Sequence, residues 1–450
     1  MIRPLYSRLP SPISRLFIFI AVFSALASAE SLSLSQALRE ALEKNPGYQA
    51  SKNDVNFAIA AKDSALAGFL PTAAASAAYG KSWLDTHQQR TVGGSQDASG
   101  AQTTTKSAGV NADWTLFQGF SAPLNEKRLG LQLNLAKAGE AQSRQDLVST
   151  VVLDYADLAR QIRLYRALDT SAAISEERMR LMQVSLNVGS ASRSDWLSVR
   201  VDRNADEAAL RRQEATLQSA RVALGAALGR DRAVNEDVDS VTLSDAPLDL
   251  QALLGDLPVN RPDLRAAEAN AALAGVAAQQ RAVNWLPKID ALAGYNYSLT
   301  NSDAGLVVEN RTLGPNVALQ LNFNLFNGEF PWQTYHRARI AQTSAEFRKQ
   351  QATNAAEAEV MRDYSVFRGA DSALTLEREA LGYAQENLGL TFMRWKSGSI
   401  SYLDARRAQD QYLSAFTLAE NTAFEALNSR LELLRAAGRL ESLVDSTSSK

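Results

Sequence analysis

The stretch Asn316-Val317-Ala318-Leu319-Gln320-Leu321-Asn322-Phe323-Asn324-Leu325 places a large apolar residue at every second position. Val317, Leu319, Leu321, Phe323 and Leu325 point one way, and Asn316, Gln320, Asn322 and Asn324 the other. That is the period of a β-strand with one apolar and one polar face. Upstream, Ile289, Ala291, Ala293, Tyr295, Tyr297 and Leu299 repeat the pattern, as do Ala108, Val110, Ala112, Trp114 and Leu116. An alanine-rich fourth strand is read at 72–84, beside those at 107–117, 288–300 and 312–326, with polar loops between partners at 85–106 and 301–311. Such lengths suit an outer-membrane barrel, whose spans take about 9–11 tilted residues. Four strands cannot close, and an open edge in lipid leaves backbone groups unsatisfied at several kcal/mol each. Other chains must complete the ring. The strand count demands an oligomer without fixing its number at three.

Outward from the strands, the chain is written twice. Asn45-Pro46 recurs as Arg261-Pro262, and Phe69-Leu70-Pro71 as Trp285-Leu286-Pro287, both 216 residues on. Leu116-Phe117-Gln118-Gly119 recurs as Leu325-Phe326-Asn327-Gly328, and Asp195 as Asp404, now 209 residues on. The first copy is longer between Pro71 and Phe117, which is one loop-length difference in an ordered series. Each copy predicts an alanine-rich helix (about 51–67 and 263–284), a strand pair, and a long helical hairpin (122–229 and 331–438). Val148, Val151, Tyr155, Leu158, Ile162 and Tyr165 step by three and four, and Val360, Phe367, Leu374, Leu381, Leu388 and Trp395 by seven. Both fit a coiled-coil seam, and about 65 residues of helix reach roughly 100 Å. Gly189 and Gly398 permit the turns, and Ser192 and Ser401 are suited to cap the returning helices.

The N-terminus reads as an export signal. Arg3, Arg8 and Arg15 precede an apolar stretch, and Ala27-Ser28-Ala29 fits a cleavage site, so residues 1–29 are set aside from the fold. There are no cysteines and only two histidines, His87 and His336. Thiolate metal sites are excluded, and no catalytic motif or phosphate-binding glycine loop is present. No enzyme activity, cofactor or metal is expected. The formal net charge of −2 gives no bulk attraction to nucleic acid.

These features in order resemble the TolC family of outer-membrane exit ducts over essentially the whole mature chain. The resemblance rests on Leu34-Ser35-Gln36-Ala37-Leu38 with Asn45-Pro46, Leu-Phe-x-Gly after each strand pair, Arg261-Pro262-Asp263-Leu264, Asn187-Val188-Gly189 with Asp195, and Gly398 with Asp404. It implies a mixed α/β membrane protein: a homotrimer with a twelve-stranded outer-membrane barrel, four strands per chain, continued by a periplasmic α-helical barrel. It implies contacts with outer-membrane lipid, a periplasmic adaptor protein and an inner-membrane transporter, ATP-driven (ABC) or proton-driven. Val188, Gly189, Ser190, Gly398 and Ser399 become the adaptor-docking tips. Asp195, Asp404, Arg407 and Trp395 become the periplasmic entrance. The sequence departs from the family there: Arg407 stands where a second aspartate is usual, and Ile400 where a basic residue is usual. The closing ion pairs of the family are therefore not assumed, and the entrance should be less electronegative.

The expected organisation is a signal peptide (1–29), repeat 1 (30–229), a linker or equatorial segment (230–260), repeat 2 (261–439) and a C-terminal tail (440–450). The expected function is an exit duct in a tripartite system, with type I protein secretion preferred to drug efflux as its task. An exported coiled-coil scaffold or adhesin without a pore is the alternative, and the four alternating strands are what it does not need.

Overall fold

A computed structural model describes residues 31–89, 91–239, 241, 247–283, 285–304, 307–323, 325, 330–397 and 399–440. The signal peptide, Gly398, Phe326-Asn327-Gly328 and the tail beyond Leu440 lie outside the described residues. In chain order the helices are α1 (Leu34–Lys44), α2 (Pro46–Asp63), α3 (Ser121–Asn187), α4 (Arg193–Ala227), α5 (Leu250–Asn260), α6 (Pro262–Val283), α7 (Pro331–Lys396) and α8 (Tyr402–Ala436). The strands are β1 (Thr72–Gln89), β2 (Ser95–Gln118), β3 (Lys288–Ser302) and β4 (Glu309–Asn322). They fall into two compact units. One holds Met1–Gln49, Ser143–Asn260 and Glu357–Lys450, the other Ala50–Gln142 and Arg261–Ala356.

The second unit carries the sheet, antiparallel throughout in the order β1-β2-β3-β4. The strand pair of each copy forms a hairpin, and β2–β3 joins the copies. Thr72 pairs with Asp113, and their repeat equivalents Lys288 and Asn322 pair in the same way. All four strands run past at least one of their expected ends. β1 and β2 continue through polar residues to Gln89 and Ser95, where a polar loop was expected from 85 to 106. A hairpin satisfies its own backbone whatever its side chains, so apolar alternation marks where the sheet meets an apolar medium and not where pairing stops. β4 begins earlier, at Glu309, and ends at Asn322 instead of 326. A register shift follows Leu84, where Gly100 takes φ +67° and its N–H donates to Asp85 Oδ1 at 2.6 Å.

The first unit is helical, and its core is the seam read from sequence. Val148, Val151, Val152, Tyr155, Leu158 and Ile162 of α3 are buried with Ala37, Leu38 and Ala41 of α1, Leu217 and Leu224 of α4, and Leu431 and Leu434 of α8. The Tyr155 hydroxyl donates to the Leu32 carbonyl (2.6 Å) and accepts from the Asp239 N–H (3.0 Å), tying the segment before α1 to the chain beyond α4. Corresponding helices match in length: 67 and 66 residues for α3 and α7, 35 and 35 for α4 and α8.

The segment read as a linker needs correction, because α5 lies inside it. α5 is the second copy of α1, and each short helix runs into a proline-led partner at Pro46 or Pro262. Pro258 within α5 and its two-turn apolar run hid the helical period. Each return helix ends on glycine then arginine, and the arginine grips its own repeat's short helix. Arg230 bonds Glu40 at 2.9 and 2.7 Å and Glu236 at 2.8 Å; Arg439 bonds Asp256. The glycines have φ of +75° and +70° and sit against backbone. A Cβ on Gly229 would lie 2.7 Å from the Lys44 carbonyl oxygen, and one on Gly438 2.7 Å from the Asn260 carbonyl carbon. Gly229→Ala should therefore cost about 1–3 kcal/mol through left-handed backbone and clash together, lowering the apparent melting temperature of detergent-solubilised protein at fixed scan rate. Gly130→Ala on α3, where a Cβ meets nothing within 4 Å, should leave it unchanged or raised.

Candidate functional site

Two regions hold the residues of interest, one in each unit. On the sheet, Asn111, Asp113, Asn316, Gln320 and Asn322 share one face, and Val110, Trp114, Val317 and Leu319 the other. Across β2, β3 and β4 the polar face alternates asparagine and glycine. Gly109, Asn296 and Gly314 form one row; Asn111, Gly294 and Asn316 form the next. The Asn296 amide lies between its neighbours and donates through Nδ2 to Asn111 Oδ1 (3.1 Å) and Asn316 Oδ1 (2.7 Å). Cβ atoms on Gly109 and Gly294 would collide with these amides. The glycines are what allow the amides to lie against the sheet.

In the helical unit, the turn after α3 is closed by Gly189 at φ +76° and by the Ser190 N–H donating to the Ser185 carbonyl (2.9 Å). Val188, Gly189 and Ser190 are exposed. The second turn is closed by Ser399 N–H donating to Arg394 O at 2.9 Å. Ser192 caps α4: its Oγ accepts the Asp195 N–H, and Asp195 Oδ2 accepts the Ser192 N–H at 3.1 Å. Ser401 Oγ accepts the Asp404 N–H (3.2 Å) and donates to Asp404 Oδ2 (2.7 Å). Hydrogen bonds from the cap serines hold both carboxyls below the usual carboxylate range. Their contribution to the helix starts is thus present above the unfolded carboxylate value and lost as pH falls through the lower folded one. Arg407 and Asp404 approach only to 4.0 Å, both well exposed. Trp395 does not reach the acids; it lies by Phe392 and under the Arg178 guanidinium, 5.8 Å from its ring centre.

Sequence reading missed a half-buried polar ladder beside these turns, centred on the buried Asp206. Tyr402 donates to Asp202, and one turn on, Arg406 grips Asp206 with two bonds (2.5 and 2.9 Å) while Nε reaches Asp410 at 3.1 Å. Ser175 of α3 also donates to Asp206. Burial, then the Asp202 carboxylate, push the Tyr402 hydroxyl well above its ordinary range, and burial pushes the Asp410 carboxyl up. Arg178 is buried close by, and its Nε and Nη1 have no hydrogen-bond partner among the described residues. The available signal was two i,i+4 pairs, Asp202/Asp206 and Tyr402/Arg406, one on each return helix.

Among the described residues no helix is long and apolar enough to cross a membrane, and no group of histidine, cysteine or acidic residues could hold a metal ion. A two-faced sheet, apolar on one side and open at both edges, joined to duplicated helical hairpins, defines a subunit of an outer-membrane exit duct. The chain belongs to the outer membrane efflux protein family, whose sequence profile matches residues 37–230 and 253–439. Among solved structures it is similar to the Campylobacter jejuni CmeC outer membrane channel, with 14% identity over 90% of this chain and 85% of that one, at TM-score 0.75. It is similar to the Vibrio cholerae outer membrane protein VceC, with 18% identity over 90% and 96%, at TM-score 0.69. The open-state Neisseria gonorrhoeae MtrE outer membrane channel gives 17% identity over 90% and 88%, at TM-score 0.68. No curated protein sequence matches the chain significantly. The protein is therefore an outer-membrane channel with a periplasmic helical part, and not an enzyme.

Removing Arg406 would leave Asp206 buried without its cation. Arg406→Ala should cost about 3–5 kcal/mol, while Arg406→Ala with Asp206→Asn should cost measurably less. A double-mutant cycle on unfolding in denaturant checks this; additive effects would show that the pair carries no coupling.

Proposed function

We propose that three chains assemble into one duct that carries cargo from an inner-membrane transporter through a periplasmic adaptor to the cell exterior. The observation that carries this is the sheet itself: β1 and β4 each present an edge with no partner strand among the described residues. In lipid those edges must be paired, and antiparallel pairing of β4 with β1 of the next copy closes a ring of identical units. The asparagine–glycine face lines the lumen and the Val317–Leu319 face meets lipid. The apolar positions left exposed on α7, among them Leu376, Tyr383 and Leu390 at steps of seven, suit packing between copies. The exposed turn at Val188, Gly189 and Ser190, with Gly398 and Ser399 of the second copy, forms the adaptor-docking tips, and Asp195, Asp404, Arg407 and Trp395 surround the periplasmic entrance. The family's efflux description supports small toxic compounds as cargo as readily as a secreted protein. A deletion strain separates them: sensitivity to toxic compounds marks efflux, and loss of one secreted protein marks type I secretion.

The mass of the detergent-extracted complex should equal three mature chains, and a stable monomer would remove the architecture. Planar-bilayer recordings should show weak cation selectivity, because rings of acids favour cations and Arg407 offsets part of that charge. Arg407→Asp should strengthen selectivity and Asp404→Ala weaken it. Unchanged selectivity in Asp404→Ala would reduce Asp404 to the cap seen in the structure.

A further inference from the structure

The apolar face of the sheet changes abruptly at its hairpin end. From Leu321 to Leu313 on β4, and from Ile289 to Tyr297 on β3, every residue on this face is uncharged. The neighbouring β2 and β1 positions, Trp114, Ala112, Val110 and Ala108 with Ala73, Ala75 and Ala77, are uncharged too. The next positions are Arg311 on β4 and Lys106 on β2, each paired with Leu299, and Lys81 two residues beyond Tyr79, the β1 partner of Lys106. Three cations thus stand on the same face within about 15 Å, taking 4.8 Å between strands and 3.3 Å per residue. All three are exposed, and none meets a carboxylate within 4 Å among the described residues. The nearest acid along β4 is Glu309, two residues from Arg311.

Aromatic rings flank the cations. Arg311 lies over the Tyr297 ring at 5.5 Å from its centre, and Tyr79 and Trp83 project from the same face of β1. Aromatic residues gather where an apolar layer meets polar headgroups, and cations just beyond them meet anionic ones. The other end of the face, at Phe117, Ile289 and Leu321, has the apolar residues without the cations. That asymmetry matches a membrane whose outer leaflet alone carries densely phosphorylated headgroups.

We propose that Lys81, Lys106 and Arg311 form a binding site for the phosphate groups of a phosphorylated glycolipid in the outer leaflet. The proposal rests on the assignment of the Val317–Leu319 face to lipid. The stems of Lys81 and Lys106 lie along apolar surface while their ammonium groups reach phosphate. Arg311, held by Tyr297, supplies a planar donor pair to a second phosphate oxygen set. The ligand is lipid-borne, since the site begins where the apolar band ends and so can hold acyl chains and phosphates at once.

The test uses the full-length trimer, delipidated in detergent and titrated with a diphosphorylated glycolipid while its thermal shift is followed. Lys81→Gln/Lys106→Gln/Arg311→Gln should weaken binding roughly a hundredfold, from about fivefold per cation near a charged surface. The same glycolipid stripped of its phosphates should bind the unaltered protein as weakly as the intact lipid binds the variant. Equal binding by variant and unaltered protein overturns the proposal, and so does equal binding of the two lipids. Stabilisation by inorganic phosphate alone, at the same concentrations, overturns it in favour of a simple anion site. Cysteines at Asn316 and Val317 separate this from the underlying reading. Labelling at Asn316 and not at Val317 by a water-soluble thiol reagent upholds the lipid-facing assignment, so that a negative titration then removes only the glycolipid site. The reverse labelling overturns both.

Discussion

A strand surrounded by hydrocarbon has nowhere to turn for hydrogen bonds except another strand. This constraint shapes the protein. One hairpin per copy, two copies per chain and a β2–β3 seam between them satisfy all but the two outermost edges. In the proposed assembly the open edges of β1 and β4 are what other copies complete, and the helical hairpins inherit whatever symmetry that ring imposes. The channel's chemistry is in its walls.

The helical unit is held by short, repeated devices. The same glycine–arginine ending appears at Gly229-Arg230 and Gly438-Arg439, each locking a return helix to the short helix that opens its copy. The ladder of Tyr402–Asp202 and Arg406–Asp206 has no such twin: Gln411 stands at the repeat position of Asp202. Duplication supplied the frame, and the polar contacts near the turns diverged within it. The cap acids Asp195 and Asp404 keep the symmetry, which fits their use at helix starts.

Much of this was legible in sequence because period and spacing carry it. The α3 seam from Val148 to Ile162 is buried as its steps of three and four require, and Ser192 and Ser401 cap the helices they were expected to cap. Where patterning is not forced by an apolar environment, the sequence is silent. The outer half of the β1–β2 hairpin is polar on both faces, so nothing in its residue order separates strand from loop. α5 is too short and too interrupted by Pro258 for a period to emerge. The Asn296 amide pair and the Arg406–Asp206 pair depend on which residues face each other across elements, and a residue list does not contain that information. Glycines 109 and 294 were visible as strand glycines, but their purpose required the amides placed over them.

The two hairpins are unequal. β2 runs past Thr103, its last partner on β3, to Ser95, about 25 Å at 3.3 Å per residue. Above that level β1 and β2 pair only with each other, and Asp85 clasps Gly100 where the ribbon begins. A ring built from copies of this chain therefore has a crenellated rim, with one tall ribbon and one low turn from each subunit. In the proposed duct that ribbon, rich in glutamine, serine and glycine and bonded to itself, stands clear of the rest of the wall. Substitutions along it leave the pairing of the wall below untouched, so the part of the sheet free to change is set apart from the part by which the channel works.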